Sequence, residues 1–133
     1  MDIKTLKERL LTLDREAQDI FKEIGYEKKF EITNLEFDKE NLDDYMMYRE
    51  FSSICSHLDY IHVVLDYLQK PVTNAGVIHL NGKGAYELNG IILKKDDVVE
   101  IVCMDEDEKK LYWYPLSVSG RKNLDGENAR IRK

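Results

Sequence analysis

Residues 41–70 constrain this chain more than any other stretch, because they read as one helix that is apolar on two separate sides. Met47, Phe51, Ile54, Leu58, Ile61, Leu65 and Leu68 recur at alternating spacings of four and three, a heptad seam. Tyr60, Val63, Val64 and Tyr67 form a second patch about 140° away at 100° per residue. A helix apolar on two flanks must be covered on both, or must offer one to a partner. Asn41 is a suitable cap, and Asp43 and Asp44 place negative charge at the positive end of the helix dipole. Pro71 closes the helix.

A first helix precedes it. Asp2 can cap the start, and Ile3, Leu6, Leu10, Leu13, Ala17, Ile20 and Ile24 again alternate spacings of three and four. The same register continued gives Glu27, Glu31 and Asn34, so the helix should stop near Gly25, which can take the left-handed C-cap conformation. Two narrow matching seams most simply zip together. The connector 26–40 is long enough for the helices, about 3–24 and 42–70, to run antiparallel. Phe30, Ile32, Leu35 and Phe37 make that connector too apolar for a solvated loop, and an extended segment lying back on the protein is expected.

After Val72 the period turns strand-like. Val77–Leu80 runs into Asn81-Gly82, a strong hairpin signal, and Ala85–Leu88 follows. A second Asn-Gly, Asn89-Gly90, precedes Ile91-Ile92-Leu93. Val98–Met104 is rich in β-branched residues, Leu111–Val118 carries Tyr112-Trp113-Tyr114, and Ala129–Lys133 closes the series. Short strands joined by glycine turns predict a small antiparallel barrel.

The motif Gly84-x-Tyr86-x-Leu88-x-Gly90, followed by Leu93-x-x-x-Asp97-x-Val99-Glu100-Ile101, Trp113, Gly126 and Ala129-Arg130-Ile131-Arg132, resembles a family of small SH3-like barrels. That family is encoded on mobile elements of Gram-positive bacteria. The resemblance covers residues 76–133 and none of the helices, and Asp96 stands where the family's turn usually has glycine. It implies a barrel fold and a mobile-element setting, and it implies no catalytic residues.

Charge and cysteine content narrow the function. The net charge of −6 lies wholly in residues 1–70, with 10 Lys+Arg against 16 Asp+Glu; residues 71–133 balance at 10 against 10. Phosphate attraction supplies most non-specific DNA affinity, so an acidic chain argues against indiscriminate DNA binding. No apolar run approaches a membrane span, and the N-terminus has no signal-like apolar core. Cys55 and Cys103 read as reduced thiols, so a cytoplasmic location is expected.

The P-loop, nucleophile-elbow, dinucleotide and zinc-protease patterns are absent. His62 could share a helix face with Asp59 and Asp66, but the first helix offers no His or Cys to complete a metal site. Cys55 and His62 lie two turns apart, about 10.5 Å, too far for a thiolate–imidazole pair. His57 and His79 have no evident partners. A buried carboxylate–histidine pair inside a deep pocket would argue for an enzyme.

Two candidate surfaces remain. Tyr60, Val63, Val64 and Tyr67, with Met46, can either dock the barrel or form a partner or dimer surface, where Tyr and Met are favoured. Tyr112 and Tyr114 with Arg121, Lys122, Arg130 and Arg132 could stack bases and hold phosphates. Exposed Arg on an edge strand can equally be protection against aggregation. The carboxylates of Asp14, Glu16, Asp19, Glu23, Asp43 and Asp44 could occupy a basic groove, or simply form a solvated face.

The expected fold is α+β: an antiparallel helical hairpin (1–70) packed on a five-stranded SH3-like barrel (71–133). The expected function is a non-enzymatic protein-interaction module, an accessory or regulatory, inhibitory protein of a bacterial mobile element. It needs no cofactor or metal, and its partner is a protein or a second copy. A nucleic-acid-binding barrel is the alternative.

Overall fold

The computed structural model describes residues 1–27, 31–121 and 123–133. The chain divides into two compact units, Met1–Gln69 and Lys70–Lys133.

The first unit is helical. Helix α1 spans Ile3–Ile24 and starts where the Thr5 amide donates to Asp2 Oδ1 at 2.7 Å. It ends at Gly25, whose φ of 63° is left-handed and whose N–H returns to the Phe21 carbonyl. Tyr26–Glu27 (β1) and Glu31–Ile32 (β2) then form a two-residue antiparallel pair. The expected extended segment is therefore present in part, although Phe30 lies outside the described residues. Phe37 stacks on Tyr48 with ring centroids 4.7 Å apart, which holds the connector against the next helix. Helix α2 spans Leu42–Gln69, and Asn41 Oδ1 accepts from the amides of Asp43 and Asp44.

The helices run antiparallel, since Asp14 meets His62 while Tyr26, just past the end of α1, lies by Asp59 and Cys55, earlier in α2. They do not zip seam to seam. In α1 the buried residues are Asp14, Ala17 and Phe21, and in α2 they are Cys55 and Leu65. At 100° per residue the contact line is turned from the heptad seam by about 45° in α1 and about 50° in α2. The Asp14–His62 hydrogen bond joins the two helices in that rotation.

The second unit is a six-stranded antiparallel sheet: β3 (Val72–Leu80), β4 (Tyr86–Leu88), β5 (Ile91–Ile92), β6 (Val98–Asp105), β7 (Lys110–Ser117) and β8 (Asn128–Arg132), in the order β5-β4-β3-β8-β6-β7. Six strands, not closed on themselves, stand where a five-stranded SH3-like antiparallel barrel was expected. Among the described residues β5 and β7 are unpaired edges, and the sheet stays open. Strand β3 joins its halves by pairing β8 through Val77 and β4 from Ile78 onward. Asn89 and Gly90, with φ of 48° and 79°, make the tight turn from β4 to β5 that an Asn-Gly pair permits.

Here the core is substantial. Ile78, Leu88, Leu93, Val99, Ile101, Val118, Leu124, Ala129 and Ile131 are buried together. Each large aliphatic side chain so placed contributes about 1.5–3 kcal/mol. The helical unit fully buries few side chains, one of them charged, so its hydrophobic stabilisation is much thinner.

Candidate interaction surfaces

Most of the second apolar flank of α2 stands in solvent. Tyr60 is 70% exposed and Val63 58%, with Met46 and Val64 also exposed and Tyr67 half-buried. Most of the seam is exposed as well: Phe51 at 50% and Ile54 at 53%, joined by Met47, Ile61 and Leu68. On α1, Leu6, Leu10, Leu13 and Ile20 are exposed in turn. Contiguous exposed apolar residues are one mark of an interaction surface.

The rotation of the helices gives these stripes a common direction. Seen from each helix's own N-terminus, the seam lies to the same hand of the contact line. Because the helices are antiparallel, both seams face one side of the pair. Val63 lies on the other side, and Tyr60 points away from α1.

Between the helices sits an unexpected polar pair. His62 Nδ1–H donates to Asp14 Oδ2 at 2.9 Å, and Asp14 is 8% exposed. Gln18 adds a longer bond to Asp14 at 3.4 Å. His62 also lines an open recess of about 820 Å³ with Gln18, Phe21, Lys22, Tyr26 and Asp59. Thus His62 takes its partner from α1 rather than joining Asp59 and Asp66. Among the described residues, no three His, Cys, Asp or Glu side chains come together as a metal site would need. Burial raises the Tyr26 hydroxyl pKa, with the Asp59 and Cys55 charges adding to it. Among the described residues, no serine, threonine or cysteine lines the recess. Burial likewise raises the Cys55 thiol pKa, which makes it a poor nucleophile.

The aromatic and basic constellation of the sheet does not converge. Residues paired across antiparallel strands point to one face. Tyr112 and Tyr114 pair with Cys103 and Ile101, on the core face, and meet edge to face at 6.2 Å. They remain half exposed. Arg130 pairs with Glu100 on the opposite face, where its Nε donates to Glu100 Oε1 at 2.5 Å. Arg132 Nε donates to Glu100 Oε2 at 2.7 Å, and its Nη1 reaches the Lys70 carbonyl. The Arg130 guanidinium also lies 4.3 Å above the Trp113 ring. Arg121 pairs with Glu127 at 3.1 Å, and Lys122 lies outside the described residues. Two of the expected phosphate-binding cations therefore serve a buried carboxylate, Glu100, which is only 3% exposed.

Of the six helix carboxylates weighed as a nucleic-acid mimic, Asp14 is buried and Asp44 accepts the Asp38 amide at 3.3 Å. No helix among the described residues is long and apolar enough to cross a membrane. In comparisons with protein-family models, curated proteins and solved structures, nothing matches this chain.

Proposed function

We propose that this chain is a non-enzymatic protein-interaction module, working as an accessory or regulatory protein of a bacterial mobile element in the cytoplasm. The observation that carries the reading is the uncovered apolar flank of α2, where Tyr60, Val63, Val64 and Met46 stand exposed. Tyr and Met supply large contact area at protein interfaces. The setting rests on the small-barrel resemblance. Leu88, Leu93, Val99, Ile101, Ala129 and Ile131 of that motif are core residues, and Gly84, Gly90 and Gly126 have positive φ, which supports the SH3-like affiliation of the sheet.

The test is affinity capture from bacterial lysate with the full chain and with Tyr60→Ser/Val63→Ser. A partner retained by the parent chain and lost by the variant is the expected result. Equal capture by both would remove this flank from the reading. The nucleic-acid alternative keeps Tyr112 and Tyr114 as stacking faces but has lost Arg130 and Arg132 to Glu100. Binding to single-stranded DNA or RNA that weakens steeply with salt would restore it.

A further inference from the structure

We infer that the chain pairs with a second copy of itself through the seam face of its helical unit, forming an antiparallel four-helix bundle. This goes beyond the proposed function, since it concerns a different surface from the Tyr60 flank and names its occupant.

The argument begins with where the seams point. In a four-helix bundle each helix has two neighbours roughly at right angles, and its apolar seam bisects them. The seam then lies about 45° from the line to either neighbour. In two helices meant only for each other, the seams would meet face to face. Here they do not. Both seams are turned off the contact line, and both are turned to the same side of the pair. A hairpin so arranged is half of a bundle. The missing half must be another antiparallel helix pair with heptad seams, and this chain itself supplies one.

Chemistry along the face agrees. Along it run Leu6 and Leu10 of α1 and Ile61 and Leu68 of α2, all exposed and none charged. Leu13 and Ile54 flank it and are both more than half exposed.

Area agrees too. The chain exposes 10311 Å². Two independent globular domains sharing its 15.7 kDa equally would expose about 8,800 Å². The surplus is about 1,500 Å², against about 800 Å² that each partner hides in a standard interface. Among the described residues the helical unit buries five side chains, against the nine of the sheet core.

Light scattering coupled to size exclusion on the full chain tests this. The expected mass is twice 15.7 kDa. Leu13→Glu/Ile54→Glu should give a monomer, while Tyr60→Ser/Val63→Ser should stay dimeric. Should the glutamate pair fail to fold, Leu13→Ala/Ile54→Ala should raise the dimer dissociation constant at least tenfold with helical circular dichroism unchanged. A monomeric or higher-order parent chain overturns the inference, as does a dimer insensitive to the seam pair. A monomer that still captures a partner through Tyr60 and Val63 would overturn this pairing while leaving the interaction reading intact.

Discussion

Two buried carboxylates are answered by cations or donors far away in sequence, and each makes a quantitative prediction. Asp14 is held by His62, 48 residues on. His62→Leu removes the donor and leaves the carboxylate enclosed, which should lower stability by about 1–3 kcal/mol. Urea unfolding followed by helical circular dichroism reads it directly. An unchanged midpoint would mean that the bond contributes nothing. Glu100 is the more demanding case, because two guanidiniums converge on it. Glu100→Gln preserves the shape and removes the charge, and should cost about 3 kcal/mol or more. Trp113, the only tryptophan, lies beneath Arg130 and reports unfolding of this unit by fluorescence. Neither pairing has a local signature in the sequence. His62 stands nearer Asp59 and Asp66 along the chain, and Arg130 and Arg132 look like free outward cations until strand order places Glu100 beside them.

At the scale of elements, start and stop signals were legible. Asp2, Gly25, Asn41 and Pro71 bound the helices because caps act over three or four residues, within reach of local reading. Gly25 is the sharpest stop: a Cβ there would collide with Thr33 Oγ1, and its φ is left-handed. Gly25→Ala should therefore cost about 1–2 kcal/mol, seen as a lower urea midpoint for the helical unit. The Asp2 cap has a pH signature. Hydrogen bonds from Thr5 hold its carboxyl below the ordinary value of 3.8. A depressed carboxylate contributes stability that is present above its unfolded value and lost as pH falls through the folded one. The Thr5 amide resonance should thus follow an acid titration lying below 3.8, and Asp2→Ala should abolish it. Helix rotation, by contrast, was not legible. A heptad seam says which residues avoid water, but not how many helices will share the work. Leu124 was missed for a related reason, since a lone apolar residue in a polar loop carries no period to mark it as core.

Across the molecule, apolar burial and charge are distributed in opposite ways. The helical half holds all of the net negative charge and little core; the sheet half is neutral and well filled. Residues 70–133 alone should therefore fold, with a cooperative urea transition in Trp113 fluorescence close to that of the full chain. A fragment without such a transition would show that the sheet depends on the helices. Fold class and the order of helices and strands followed from periodicity, whereas closure of the sheet did not, because whether two edges meet depends on twist and curvature rather than on pattern. One of those edges is β7, long and rich in exposed aromatics, the kind of strand that invites stacking by a neighbour. Pro115 sits toward its C-terminal end, opposite Glu100, and a proline is tolerated there when its absent N–H would have faced outward. A ribbon growing onto this border would find one rung missing, so the sheet can keep its tyrosines in water without seeding fibrils.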